Sequence, residues 1–188
     1  MAKPIIKRKK IIRAALELFV EKGIDGTTTR DIAEKAGAGE GTMYRYFESK
    51  EALAVSIFKD EIAGLMEQVI QKTAICKTVQ EKLRCLIRFF YALFEQDQQL
   101  FHYLLLSEHS FARHLPVDMT GPVDFLIALI KEGQKKKVIR PMDPQIMAAL
   151  LFGAVMRVPI FKIYGRIKKD ICNASDEVFD SCWKMVKK

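Results

Sequence analysis

TTTRDIAEKAGAGEGTMYRYFESKEAL, residues 27–53, sets two short apolar-periodic runs on either side of a few small residues. Thr28 followed by Asp31 has the spacing of a capping box, with Asp in the usual Glu/Gln place. Ile32, Ala33 and Ala36 make one apolar face, and Gly37 ends the run. After a turn at Gly37 to Gly39, Glu40 to Phe47 reads as a second short helix, with Met43 and Phe47 four apart and facing inward. Ser49 caps a longer helix that begins at Lys50. Two short helices joined by a tight turn inside a three-helix unit form a helix-turn-helix. The second helix of such a pair enters the DNA major groove while the first lies across the backbone.

The groove-facing surface is then Gly41, Thr42, Tyr44, Arg45 and Tyr46. Small residues at 41 and 42 permit close approach, and the tyrosine hydroxyls can donate to phosphate oxygens. Lys50 offers an ammonium at a helix start, and Thr27 and Thr28 sit ahead of another helix N-terminus. The turn pattern alone equally fits an ordinary helical domain in which Tyr44 and Tyr46 are half-buried aromatics.

Outward from this stretch the helical period continues. Upstream, Ile12, Ala15, Leu16 and Phe19 fall on one face, and Gly23 stops the helix. Downstream, Leu83, Leu86, Ile87, Phe90 and Phe94 mark another amphipathic helix. The segment LFHYLLLSEHSFARHL is apolar and helical up to Pro116. GPVDFLIALIKEGQKKKVI opens with Pro near N1. DPQIMAALLFGAVMRVPIFKIYG is apolar around its whole girth, which calls for burial on several sides. SDEVFDSCWKMVKK closes the chain with Val178, Phe179, Cys182, Trp183 and Val186 on one side. No strand alternation, repeat or low-complexity segment occurs. The expected fold is all-α, about nine helices. A DNA-binding domain is expected over residues 1–50 and a larger helical bundle over residues 51–188.

Composition agrees. The 188 residues carry a net charge of +8, from 31 Lys and Arg against 23 Asp and Glu. Residues 1–50 hold 11 of those cations and 7 of the acids, so about half the excess sits in the front quarter. A cationic front end suits a polyanionic partner. The four cysteines share no close spacing, which disfavours a zinc site and suits reduced, partly buried thiols. No signal peptide is evident. The stretch Ile146 to Ile163 comes nearest to a membrane span, but Arg157, Pro159 and Lys162 interrupt it. A soluble cytoplasmic protein with no membrane partner is expected.

The run GIDGTTTRDIAEKAGAGEGTMYRYFESKEAL resembles the DNA-binding signature of the TetR-family bacterial transcriptional regulators. Phe19, Gly23, Thr27, Thr28, Ile32, Ala33, Ala36, Gly37, Gly41, Tyr44, Phe47, Lys50 and Leu53 match together. EGQKKKVIRPMDPQIMAALLFGAV is similar, more loosely, to a later passage of the family. The resemblance implies a homodimeric repressor whose C-terminal domain binds a small-molecule inducer. It further implies phosphate contacts from Thr27, Thr28, Tyr44 and Lys50, with Thr42, Arg45 and Tyr46 at or near base edges. Gly39 stands where the family commonly has a capping Ser or Thr, and Glu40 where a basic or neutral residue is common.

In the larger bundle, Phe58, Ile62, Leu65, Met66, Phe90, Phe94, Phe101, Tyr103 and Phe125 are candidates to line an apolar ligand cavity. Arg84, Arg88 and Tyr91 share a face that is either solvated or an anchor for a ligand carboxylate. Ala149 and Gly153, a small-x-x-x-small pair, with Phe179, Cys182 and Trp183 on the last helix, are candidates for a two-fold four-helix interface. No cofactor is implied. His102, His109, Glu108 and His114 lack metal-ligand spacing. No nucleophile elbow, phosphate loop or paired catalytic carboxylates suggest an enzyme. The remaining rival is a helical scaffold that binds DNA without sequence preference.

Overall fold

The computed structural model describes residues 2–106 and 120–188, and these hold nine α-helices: α1 (Ala2–Lys22), α2 (Thr29–Lys35), α3 (Glu40–Tyr44), α4 (Lys50–Ala74), α5 (Val79–Gln96), α6 (Gln98–Phe101), α7 (Pro122–Lys135), α8 (Pro144–Ile163) and α9 (Ser175–Val186). A π-helical turn, His102–Leu106, continues α6, and a 3-10 turn, Ile171–Ala174, precedes α9. Among the described residues the extended pairing is a single antiparallel bridge between Ile139 and Lys187. Pro116, Glu108, His109 and His114 lie outside the described residues.

The helix ends follow local chemistry. Thr28 and Asp31 form the capping box of α2. Thr78 and Glu81 form a second one at α5, a signal present in the sequence that its reading passed over. The Ser49 hydroxyl accepts from the Ala52 amide at 3.0 Å, which caps α4 as expected. Gly23 and Gly37 sit at φ of 73° and 63°, the left-handed conformation that closes a helix most cheaply with glycine. α3 is shorter than the sequence suggested, ending at Tyr44 rather than Phe47. Past Tyr44 the chain turns, yet Phe47 still packs inward and is buried.

The chain divides into two compact units. The first takes the described parts of Met1–Ala63 and Gln99–Val117, and the second takes Gly64–Gln98 with the described part of Asp118–Lys188. The reason is visible in the first unit's core. One longer and two short helices bury little apolar surface by themselves. Phe19 of α1 stacks on Tyr103 with ring centroids 6.4 Å apart, and Phe58 of α4 tilts against the same ring at 6.2 Å. The Tyr103 hydroxyl donates to the Ala54 carbonyl at 2.8 Å. Burial holds its pKa above the usual tyrosine value.

In the second unit α5 is the central element. Leu83, Leu86, Ile87, Phe90, Tyr91 and Phe94 are buried along it, against residues of α7, α8 and α9. α8 carries Pro159 in its interior. Proline has no N–H, so the Val155 carbonyl four residues back loses its helical donor. The buried Tyr91 hydroxyl supplies the replacement, donating to Val155 O at 3.1 Å. Pro159 therefore leaves α8 unbroken, and so do Arg157 and Lys162. By length and composition alone α8 is apolar enough to cross a membrane, with a mean hydropathy of 1.9, contrary to the sequence expectation. It is not buried all round either: Ile146, Ala149, Leu150, Gly153 and Ala154 lie exposed along one side.

Candidate nucleic-acid interface

α2 and α3 are held by a short polar chain. The Thr28 hydroxyl accepts from the Asp31 amide at 3.0 Å, and the Thr28 amide donates to the Asp31 carboxylate at 3.1 Å. The backbone bond from Thr28 keeps the Asp31 carboxyl below its ordinary value. Thr29 Oγ1 donates to Glu40 Oε1 at 2.7 Å, and the Tyr44 hydroxyl reaches Thr29 Oγ1 at 3.4 Å. Glu40 is thereby tied to α2, which answers what an acid does at the start of the reading helix. A five-residue helix has no independent stability. Here Met43, fully buried, and the α2–α3 network hold it in place.

The expected contact residues divide into two groups. Gly41, Tyr44, Arg45 and Thr28 are exposed, and Thr42 and Tyr46 are half-buried. The structure brings these six together on and beside α3. Thr27 and Lys50 do something else. Thr27 is fully buried, and its hydroxyl donates to the Gly23 carbonyl at 2.7 Å. Its amide donates to Ile24 O at 3.2 Å, so neither donor faces a phosphate. The Lys50 ammonium lies 2.8 Å from Ile24 O, 2.8 Å from Thr27 O and 3.2 Å from Asp25 O. An ammonium has three N–H donors. All three are spent on the loop between α1 and α2. Lys50 thus clasps that loop, and Thr27 and Lys50, both expected at phosphates, are engaged inside the chain. Sequence reasoning also passed over Arg30, an exposed cation in the first turn of α2, whose placement beside a capped N-terminus was the available signal.

Residues 11–57 match the profile of the bacterial regulatory proteins of the tetR family. The fatty acid metabolism regulator protein of Bacillus subtilis is 25% identical over 179 residues, which span 93% of this chain and 92% of that one. The chain belongs to the TetR family. It is a transcriptional regulator of that family, and its relatives are regulators rather than enzymes. The regulator QacR of Staphylococcus aureus is 35% identical over 75 residues, 40% of each chain. Among solved structures, the fatty acid degradation regulator FadR from Bacillus halodurans superposes with a TM-score of 0.75 at 21% identity, covering 94% of both chains. FadR from Bacillus subtilis in complex with stearoyl-CoA superposes at 0.73 with 23% identity, over 93% of this chain and 96% of that one. These likenesses establish the TetR fold over the chain.

For this TetR-family chain, the residues expected to line one cavity are distributed over both units. Phe58, Ile62, Phe101 and Tyr103 belong to the first and are all buried, Phe58 against the Tyr103 ring. Leu65, Met66, Phe90, Phe94 and Phe125 belong to the second. Phe90 lines a small apolar cavity with Leu83, Leu86, Leu126, Leu151 and Met156. Its free volume of about 20 Å³ seats one water-sized group and no more. Phe125 lines an open groove of about 320 Å³. Phe94 is fully buried packing. Arg84 is half-buried and Arg88 exposed, and both are engaged in ion pairs. Both hold Asp176 of α9, Arg88 at 2.6 Å, and Arg84 also lies 4.0 Å over the Phe179 ring. These bonds, Arg88's first, keep the Asp176 carboxyl below its ordinary value.

The interface candidates divide as well. Ala149 and Gly153 are exposed, and Trp183 is half-buried, stacked on Phe179. Phe179 and Cys182, expected in a dimer contact, are buried in the chain's own core. The apolar face of α9 is satisfied by α5. Among the described residues no three potential metal ligands cluster.

Proposed function

We propose that this TetR-family regulator works as a homodimeric repressor on a palindromic operator and is released by a small, largely apolar inducer. The observation that carries the DNA reading is the exposed surface of α3, Gly41, Tyr44 and Arg45 with Thr42 and Tyr46 beside it, held by a buried Met43. Thr42, Arg45 and Tyr46 read bases. Thr28 and Tyr44 donate to phosphate, joined by the Thr29 and Arg30 amides, which as first-turn groups have no acceptor inside α2. Functionally the division falls at residue 50, between a reading head and the ligand and dimerisation part that follows.

Dimerisation is supported by α8. Ile146 is 55% exposed and Leu150 47%, with Ala149, Gly153 and Ala154 along the same side. A two-fold copy of that side covers both apolar stripes, and the small residues allow close helix packing. It accounts for an apolar helix in a DNA-binding protein of the cytoplasm without invoking a membrane.

The inducer is assigned to the second unit, where Phe90 and its apolar neighbours already leave a void. That void must widen to admit a ligand, which makes binding a population shift toward an opened state. Relatives concerned with fatty acid metabolism, one solved with stearoyl-CoA, make an acyl chain the first ligand class to test. α4 is one unbroken helix from the Lys50 clasp to Leu65, Val69 and Thr73. A shift of its far end is felt at the loop that Lys50 holds.

The test is capture and sequencing of genomic DNA fragments on the purified protein, followed by titration of the recovered fragments. Recovery of a palindrome bound much more tightly than scrambled DNA supports the reading. Equal affinity for all sequences supports an unselective helical scaffold instead. Acyl-CoA esters of increasing length are then titrated with and without operator. Linkage requires each ligand to weaken the other by the same factor, and equal affinities in both arms reject that ligand as inducer.

A further inference from the structure

Cys76 lies just past the C-terminus of α4 and Cys85 in the second turn of α5. The fold sets both against one acceptor. Cys76 Sγ is 3.7 Å and Cys85 Sγ 3.6 Å from the carbonyl oxygen of Lys72. Both thiols are free and partly exposed, and both line one open groove of about 530 Å³. Cys172 and Cys182 are not among the residues of that groove. Lys72, Arg84 and Arg88 also line it, with Glu81 as the one carboxylate among its lining residues. A net cationic lining favours a thiolate and disfavours a metal cation. An open mouth admits a small neutral oxidant.

We propose that Cys76 and Cys85 are a reversible, hydroperoxide-sensitive dithiol that closes to an intramolecular disulfide, joining the C-terminus of α4 to α5. The Cys76 thiolate attacks the peroxide O–O bond, giving a sulfenic acid and, after protonation of the leaving oxygen, water. The Cys85 sulfur then attacks the sulfenic sulfur, forming the S–S bond and expelling hydroxide, which takes the Cys85 proton to leave as water. Two thiols and one hydrogen peroxide thus become one disulfide and two waters. The order follows from exposure and environment. Cys76 is in the loop, whereas the Cys85 thiol is pushed up, first by burial and then by the adjoining Cys76 thiol with which it hydrogen-bonds. The sulfur that is harder to ionise suits the second step. A dithiol reductant reverses the reaction by exchange, itself becoming oxidised.

The full-length reduced protein is treated with hydrogen peroxide, alkylated, and digested with trypsin. Cleavage at Lys72, Lys77, Arg84 and Arg88 isolates the two cysteines on Thr73–Lys77 and Cys85–Arg88. The expected product is these two peptides joined by a disulfide, lost on reduction, with Cys172 and Cys182 still alkylated. Cys85→Ser leaves Cys76 as a sulfenic acid that dimedone traps, and circular dichroism confirms that the variant is folded. The proposal is overturned if peroxide leaves both peptides alkylated as before. It is equally overturned if either cysteine is found joined to Cys172, to Cys182 or to a second chain.

Discussion

Replacing Lys50 by Ala separates a clasp from a phosphate ligand. The ammonium makes two contacts of 2.8 Å and one of 3.2 Å to the carbonyls of residues 24, 27 and 25, and its side chain is only 20% exposed. Hydrogen bonds involving a charged group contribute about 1.5–3 kcal/mol each in favourable settings. Here three share one charge, and the freed carbonyl of the exposed Asp25 can be rehydrated. The net loss is therefore about 2–3 kcal/mol for the cluster. At about 2–4 °C per kcal/mol for a chain of this size, the melting temperature falls by roughly 4–12 °C. Operator affinity falls too, because the loop ahead of α2 loosens, but its dependence on salt is retained. A direct phosphate ligand behaves in the opposite way: stability is kept and the log–log salt slope becomes shallower by about 0.9. Thermal unfolding followed by circular dichroism, with anisotropy titrations at several salt concentrations, measures both. An unchanged melting temperature together with a shallower slope refutes the clasp.

Tyr44→Phe removes a hydroxyl assigned to phosphate and should weaken all DNA sequences alike, whereas Thr42→Ala should change which bases are preferred; selection from randomised operators distinguishes them. Thr27→Val, which keeps the shape and deletes the buried donor, should cost about 1–3 kcal/mol in denaturant unfolding through the unsatisfied carbonyl of Gly23. Gly153→Leu should leave the subunit folded, because among the described residues nothing beyond its own helix backbone and chain neighbours lies within 4 Å of an added Cβ, yet convert a dimer to monomer in sedimentation. Asp176→Asn should destabilise at neutral pH. The carboxyl's folded pKa is depressed, so its contribution is present above the unfolded value of about 3.9 and is lost as pH falls through the folded value. Wild type and variant should therefore converge in acid, as read by urea unfolding at a series of pH values.

The sequence disclosed what short-range spacing determines. Thr28 with Asp31, Ser49 before α4, and glycines at 23 and 37 announce helix ends because each acts within a few residues. What stayed hidden depends on distant partners. Lys50 reaches back more than twenty residues to the α1–α2 loop, and Tyr103 joins a core with Phe19. No local pattern carries that information, so spacing could show neither the hold of Lys50 on that loop nor the place of Tyr103 in that core. Phe179 and Ala149 illustrate a second limit. An apolar helix face has the same period whether it meets the chain's own α5 or another copy, so spacing alone could not separate core from interface. Thr78 with Glu81 was different, a legible cap left unread.

Pro159 and Tyr91 carry one last implication, for heredity rather than for folding. A proline that takes away an amide and a tyrosine that supplies a hydroxyl in its place are useful to the chain only as a pair. Sixty-eight residues of sequence separate them, and one carbonyl oxygen joins them. Tyr91→Phe in the presence of Pro159 strands Val155 O, while with Ala at 159 the helix can supply its own donor and the hydroxyl becomes dispensable. Descendants of this sequence should then exchange the two residues together or in one order, with the proline going first.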